Sequence, residues 1–126
     1  MKPETAEWVA KAEADLATAR REAAVIESAN YDAVCFHSQQ CAEKYLKAIL
    51  VEHSVKVPRV HDLEVLVNEV IALNAEIGVV MKSARVLSAM AVEVRYPGMS
   101  ADEEDAEEAL RSADSIREVS KGLLSL

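Results

Sequence analysis

An uninterrupted helix-forming stretch near the middle of the chain restricts the possible folds more than any other feature. Residues 31–54, YDAVCFHSQQCAEKYLKAILVEHS, contain no Gly or Pro. Good helix formers dominate this stretch, so it predicts a helix of about six turns. Its apolar residues cover more than half of the helix circumference, which is typical of a helix with neighbours on several sides. We therefore expect the rest of the chain to pack around it.

The remainder of this central helix is a polar strip. Its members lie three or four residues apart, which places them on one helix face. They are His37, Gln40, Glu43, Lys44 and Lys47. Two interpretations are open: the strip is an ordinary solvated face, or it is the wall of a groove that binds a ligand.

Length and composition predict a single all-α domain over residues 1–126. A chain of 126 residues can bury a core without disulfides or metals. Gly and Pro are scarce, with three of each, while Ala, Glu, Leu and Val dominate. No apolar run is long enough to span a bilayer, and the N-terminus lacks the apolar segment of a signal peptide. We therefore expect a soluble, cytoplasmic protein without a membrane partner.

Before the central helix, residues 3–28 predict a first helix. Pro3 suits its first turn, and apolar residues then repeat at steps of three and four. This seam consists of Val9, Ala12, Leu16, Ala19, Ala23 and Ile26. A short turn follows, with Asn30 or Asp32 as the cap of the central helix. The first two helices should therefore form an antiparallel hairpin.

After the central helix, Pro58 predicts an extended connection. A third helix is expected to start at His61 or Asp62 and to reach about residue 74, and Gly78 is expected to mark a break. A fourth helix is predicted over residues 80–93 and a last one after the acidic run at 102–105. The expected architecture is an up-and-down bundle of four to five helices.

The charge distribution argues against general nucleic-acid binding. The net charge is −8, and residues 99–126 hold eight acids against three bases. A protein that binds nucleic acid nonspecifically usually has a basic surface. Residues 37–61, in contrast, hold four bases against two acids. This small positive island either receives a specific anion or is an ordinary fluctuation in charge.

The sequence lacks the common metal and phosphate-binding motifs. It has no Cys-x-x-Cys and no His-Glu-x-x-His, and its three histidines fall on different elements or faces. Three scattered glycines cannot form a phosphate-binding loop. Cys35 and Cys41 sit in an apolar helix, so they are predicted to be reduced, buried and unreactive. We therefore predict neither a metal nor a cofactor.

Three features remain as candidates for function: the polar strip, His61-Asp62, and Arg95-Tyr96-Pro97. Each has a structural interpretation when taken alone, as a solvated face, a helix cap and a helix end. In combination they resemble the HEPN domain (higher eukaryotes and prokaryotes nucleotide-binding). Residues 38–48, SQQCAEKYLKA, look like its central-helix signature, and residues 61–63 and 95–97 look like two further blocks in the same order.

This resemblance implies a small helical bundle that forms homodimers and has a groove lined by the second helix and the Arg-Tyr-Pro loop. The residues that it places at the groove are the five of the polar strip together with His61, Asp62, Arg95 and Tyr96. Short prokaryotic members are paired with a minimal nucleotidyltransferase in a two-component system of the toxin–antitoxin kind. Many members are metal-independent ribonucleases.

The ribonuclease motif of the family, an Arg followed after four to six residues by a His, is missing here. The positions after Arg95 are Ser100, Ala101 and Asp102, and no other Arg supplies the His. A metal-free ribonuclease needs a proton acceptor near the 2′-hydroxyl. The base would then have to come from another element, as His61 or His37. Enzymatic activity is left open, and we do not expect efficient ribonuclease activity.

Three functional hypotheses follow. The chain is a homodimer that binds a nucleotide-like ligand, or RNA, and a nucleotidyltransferase partner; or a ribonuclease with a non-standard base; or a purely structural helical adaptor. The homodimer is expected to use the small-residue seam of the first helix together with Trp8 and Tyr45, because these offer apolar surface.

Overall fold

The computed structural model describes residues 1–94 and 96–126. These two segments form five α-helices and one 3₁₀ helix, without a β-strand, so the all-α prediction is confirmed. The α-helices are α1 (Pro3–Ala23), α2 (Tyr31–Glu52), α3 (Leu63–Ile71), α4 (Met81–Glu93) and α5 (Glu103–Leu123), and the 3₁₀ helix is Ala75–Val80. No helix in the described segments is long and apolar enough to cross a membrane.

The central position of α2 is confirmed, because it contacts all four of the other α-helices. Most of its side chains are buried, including Tyr45, Leu46 and Ile49. Helix α1 runs antiparallel to it, since the start of α1 lies beside the end of α2. There, the backbone N–H of Lys2 and the hydroxyl of Thr5 both donate to Glu52 Oε1 at 2.9 Å.

The predicted end of α1 is wrong by five residues, because the helix stops at Ala23 and not at residue 28. The chain must reverse direction before α2, and the backbone N–H of Asn30 donates to Glu22 Oε1 at 2.7 Å, which closes the turn. Ser28 takes a left-handed φ of 56° inside this turn. Ile26, predicted to face the core, is therefore 96% exposed.

Caps fix where α2 and α3 begin. Asn30 Oδ1 accepts from the N–H of Ala33 at 3.0 Å, and Asp62 Oδ1 accepts from the N–H of Glu64 at 2.9 Å. Each is one of the two alternatives that the sequence left open. Asp32, the other candidate at α2, accepts from the backbone N–H of Ala101 at 2.7 Å and so joins the start of α2 to the segment before α5.

The predicted break between the third and fourth helices is present, but it does not centre on Gly78. Gly78 lies inside the 3₁₀ helix, and the interruption comes earlier, at Asn74. Asn74 adopts an extended backbone with φ −155° and ψ 112°, and its side chain accepts from the N–H of Glu76 at 3.0 Å. The side chain of Asn74 thus caps the start of the 3₁₀ helix, while Gly78 packs near Ile71.

The apolar surfaces expected to form a dimer are used inside the monomer. Ala12, Leu16 and Ala19 of α1 are buried in the core, as is Tyr45 of α2. Trp8 is partly buried and packs against the same core. A dimer of this chain would therefore need a different surface.

Both cysteines are free and buried, Cys35 and Cys41 alike. Burial raises the pKa of the Cys35 thiol to about 11 and that of the Cys41 thiol to about 12, with nearby carboxylates adding to the effect. Thiolate chemistry at neutral pH is therefore suppressed at both positions.

Two ion pairs join α5 to α1, Arg117–Glu13 and Arg20–Asp114. The guanidinium of Arg117 donates to both carboxylate oxygens of Glu13, with its shortest distance 2.8 Å. Hydrogen bonding to Arg117 holds the pKa of Glu13 below its ordinary value. The same contact raises the pKa of Arg117, so both groups are charged at neutral pH.

Candidate functional site

The polar strip of α2 is divided between two neighbours and is not one continuous solvated face. One part turns towards α1, the other towards the segment that precedes α3. Each part centres on a single carboxylate that holds one histidine and one lysine. We call them the Asp15 cluster (Asp15, His37, Lys44) and the Glu43 cluster (Glu43, Lys47, His61).

The Glu43 cluster is built on a buried ion pair. Lys47 Nζ lies 3.1 Å from Glu43 Oε2, one helical turn away on α2, and both side chains are at least nine-tenths buried. His61 Nδ1 lies 3.1 Å from the other oxygen, Glu43 Oε1. The ammonium of Lys47 also lies 5.8 Å from the ring centre of Trp8 on α1, within range of a cation–π interaction.

His61 differs from the rest of its cluster because it reaches solvent. Its side chain is 76% exposed, against 5% for Glu43. A carboxylate beside Nδ1 favours the tautomer with the proton on Nδ1, which leaves Nε2 as an acceptor. His61 directly precedes the Asp62 cap, so the same turn that starts α3 fixes the imidazole.

The Asp15 cluster ties α1 to α2. His37 Nδ1 lies 2.8 Å from Asp15 Oδ1, and Lys44 Nζ contacts Asp15 Oδ2. All three side chains are mostly buried, with 29% exposure for His37 as the largest value. Asp15 was not among the predicted site residues, although it lies on the predicted seam side of α1, one residue before Leu16.

A cleft of about 800 Å³ opens where α2, the start of α3 and α4 meet. One wall is apolar, with Phe36 of α2 facing the C-terminal part of α4. The lining residues are Asn30, Asp32, Ala33, Phe36, Gln39, Gln40, His61, Asp62, Ser88, Ala91, Val92 and Val94. The cleft thus combines apolar walls with amide, imidazole and carboxylate groups, as small-molecule sites do.

A chain of side-chain amides crosses the floor of the cleft. Gln40 Nε2 donates to Gln39 Oε1 at 3.0 Å. Gln39 Nε2 in turn donates to the backbone oxygen of His61 at 3.3 Å and to Glu43 Oε1 at 3.4 Å. Gln39 was not predicted as a site residue, although it lies beside the strip and within residues 38–48, which resemble the central-helix signature.

The predicted site residues therefore fall into three groups. Gln40, His61 and Asp62 line the cleft, and Glu43 lies directly behind His61 with Lys47 as its counter-ion. His37 and Lys44 belong to the Asp15 cluster and do not line the cleft. Tyr96 is exposed and is not among the lining residues either. Arg95 lies outside the described residues.

Two of the four bases of the positive island are paired with carboxylates in the fold. Lys44 is paired with Asp15 and Lys47 with Glu43, so neither presents an unpaired charge. The carboxylates of the cleft are also engaged, since Asp32 and Asp62 accept backbone N–H groups. Across residues 1–94 and 96–126, no group of three or more His, Cys, Asp or Glu side chains is arranged to hold a metal ion.

Comparison with known proteins gives matches over almost the whole chain. The HEPN domain family model matches residues 5–123. The crystal structure of ST0689, an archaeal HEPN homologue, is 29% identical with a TM-score of 0.74 and covers 97% of this chain and 98% of its own. The structure of TT1696 from Thermus thermophilus is 23% identical with a TM-score of 0.78, over 97% and 99% of the two chains, and supports the fold alone. No curated protein matches the sequence.

Proposed function

Because this chain belongs to the HEPN family, we propose that it is a homodimeric protein that binds a nucleotide-like ligand in the cleft and acts with a minimal nucleotidyltransferase. The system would be of the two-component, toxin–antitoxin kind and cytoplasmic. The observation that carries the ligand part of this proposal is the cleft itself. It gathers residues from two of the three sequence blocks of the family, Gln40 from the first and His61 and Asp62 from the second.

The chemistry of the cleft suits a nucleobase. Phe36 of α2 and Val92 of α4 are both exposed at the cleft and offer apolar surface to a planar ring. Gln40 and His61 offer hydrogen-bonding groups at the floor for the edge of that ring. A ligand that is flat, apolar on its faces and polar at its rim fits this combination.

The phosphate of such a ligand needs a cation, and the described lining of the cleft contains no Lys or Arg. Val94 lines the cleft and directly precedes Arg95 in the sequence. We assign phosphate binding to Arg95 and Tyr96, as the family resemblance implies, because a guanidinium donates several hydrogen bonds to phosphate oxygens.

The homodimer is proposed on the face that carries the cleft, in place of the α1 seam. Four large apolar side chains are exposed on α2, on α4 and in the loop that follows α4: Phe36, Val92, Tyr96 and Met99. Because Phe36 and Val92 also line the cleft, the ligand would lie at the edge of the dimer interface. Apolar patches of this kind are typical of protein interfaces. Light scattering at micromolar concentration should give twice the monomer mass of 13.8 kDa. A monomer mass throughout would contradict the dimer.

The nucleotidyltransferase partner is supported by family membership. The test is co-expression with the product of the neighbouring reading frame, followed by purification through a tag on one protein only. A stoichiometric complex is expected. Failure of every neighbouring product to co-purify would contradict the partnership without affecting the ligand.

The ligand is tested by calorimetric titration of the purified protein with AMP and GMP. Saturable binding is expected, and it should weaken at least tenfold in Arg95→Ala. Binding that is unchanged in this variant would remove Arg95 from the site. Heat changes indistinguishable from buffer for both nucleotides would favour the structural adaptor.

One observation supports the alternative ribonuclease function. A histidine whose Nδ1 is held by a carboxylate and whose ring lines an open cleft has the arrangement of a general base, and His61 has it with Glu43. The missing Arg-x(4–6)-His motif still leads us to expect no efficient cleavage. The test is RNA in excess EDTA. Robust cleavage that His61→Ala abolishes would establish His61 as the base.

A further inference from the structure

We propose that Gln40 selects the ligand by presenting its side-chain oxygen to the cleft, in an orientation that the buried Glu43 carboxylate sets through Gln39. The favoured ligand is then a nucleobase with an N–H donor next to an acceptor on one edge. This inference rests on the proposed nucleotide binding and adds the feature of the base that is recognised.

The direction of the hydrogen bonds starts at Glu43. Its carboxylate faces Lys47 at 3.1 Å in a buried pair, so it acts only as an acceptor. It therefore requires the amide nitrogen, not the amide oxygen, of Gln39 to point towards it. The backbone oxygen of His61 also accepts a hydrogen bond from the amide nitrogen of Gln39, so both hydrogens of that amide are used.

The side-chain oxygen of Gln39 is consequently left to face Gln40. Gln40 Nε2 donates to it at 3.0 Å. The reversed orientation of Gln40 would bring two carbonyl oxygens together and lose this hydrogen bond. The amide of Gln40 is thus held in one orientation by a chain of hydrogen bonds that ends at the charged carboxylate of Glu43.

What Gln40 offers to the cleft follows from this orientation. One of its two N–H groups is used by Gln39, which leaves the second N–H and the oxygen Oε1. Within residues 1–94 and 96–126, neither has a protein partner, and Gln40 lines the cleft. An acceptor with an adjacent donor pairs with the N6 edge of adenine or the N1/O6 edge of guanine.

A base without that donor leaves Oε1 unpaired when the ligand covers it. Binding sites built around a hydrogen bond reject the analogue that lacks it, because the polar group of the protein then loses water without compensation. We expect a loss of affinity of about tenfold or more.

The experiment compares matched nucleotides by calorimetry. AMP is compared with purine riboside 5′-monophosphate, which lacks only the amino group. Inosine 5′-monophosphate, which presents the same N1/O6 edge as guanine, is compared with 1-methylinosine 5′-monophosphate, in which a methyl group replaces the N1–H donor. In the wild type, the nucleotide of each pair that has the complete edge should bind about tenfold more tightly. In Gln40→Leu and Gln40→Met, the two members of each pair should bind alike.

Ser83→Ala is the matched control, because Ser83 lies on α4 outside the cleft and takes no part in the amide chain. It should keep the discrimination. Equal binding within each pair by the wild type would overturn the role of Gln40 while nucleotide binding stands. Discrimination that survives both Gln40 variants would overturn it as well. If none of the four compounds binds, the proposed ligand class fails and the role of Gln40 with it.

Discussion

The Asp15 cluster and the Glu43 cluster are chemically alike and structurally different. Both combine one carboxylate with one histidine and one lysine, and α2 supplies the lysine of each. In the Asp15 cluster, the histidine is also on α2, and its side chain lies where α2 contacts α1. In the Glu43 cluster, the histidine comes from the connection before α3 and is 76% exposed, while the ion pair beneath it is buried.

The difference lies in what each histidine can still do. His37 packs between α1 and α2, so its cluster acts as a connection between the two helices. His61 has one nitrogen held by a buried carboxylate and the rest of its ring open to the cleft. The same three kinds of side chain therefore hold two helices together in the Asp15 cluster and leave a histidine available to a ligand in the Glu43 cluster. The burial of the carboxylate and the position of the histidine determine this difference.

The largest expected effect is on stability, from Glu43→Ala. This change leaves the buried Lys47 without its counter-ion, and such losses cost about 3 kcal/mol or more of unfolding free energy. Urea unfolding of wild type and variant gives the measurement. The double variant Glu43→Leu, Lys47→Leu is the control and should recover much of the loss, because it removes both charges together.

Asp15→Ala should cost less, about 1–2 kcal/mol. It also releases a lysine, but the side chains of His37 and Lys44 keep more contact with water than that of Lys47 does. The same urea series gives the comparison. If Asp15→Ala lost as much unfolding free energy as Glu43→Ala or more, the greater burial of the Glu43 cluster would not make it the more important for stability.

His61→Ala should separate binding from stability. Because the imidazole is mostly exposed, unfolding should change by less than about 1 kcal/mol. AMP or GMP affinity, measured by calorimetry, should fall about tenfold, since a hydrogen-bonding group of the cleft is lost. His37→Ala is the matched control, and we expect the opposite pattern, with altered stability and retained affinity. Equal effects of both variants on affinity would place the ligand elsewhere.

The smallest expected effect concerns a third carboxylate, Glu13, which is paired with Arg117 outside both clusters. The pKa of Glu13 is lowered in the folded state, so its stabilisation is complete above its unfolded pKa and is lost as the pH falls through the folded value. Since Glu13 is partly exposed, Glu13→Gln should cost about 1 kcal/mol or less at pH 7. Thermal unfolding of both proteins should differ at pH 7 and converge in acid.

The sequence was sufficient to predict the helices, because helix periodicity and capping act over a few residues. It predicted the order of the elements and the central place of α2, and it gave Asp62 as a possible cap. It failed at the end of α1, where the hydrogen bond from the backbone N–H of Asn30 to Glu22, eight residues earlier, closes the turn before the apolar pattern ends. Local patterns do not contain such contacts.

The candidate site was less predictable for the same reason. The spacing of the polar strip correctly put its residues on one side of α2, but it could not divide them between two neighbours. Asp15 and Gln39 acquire their roles only from contacts across the fold, with Lys44 in one case and with the backbone of His61 in the other. Those contacts depend on how α1 and the segment before α3 dock.

The position of Trp8 beside Lys47 gives the chain a built-in optical reporter. Trp8 is the sole tryptophan of the sequence, so all indole emission comes from this one ring. The ammonium 5.8 Å from the ring centre belongs to the ion pair that supports His61. A ligand that displaces His61 from Glu43 should therefore shift the wavelength of tryptophan emission. Such a shift would report binding without any added label.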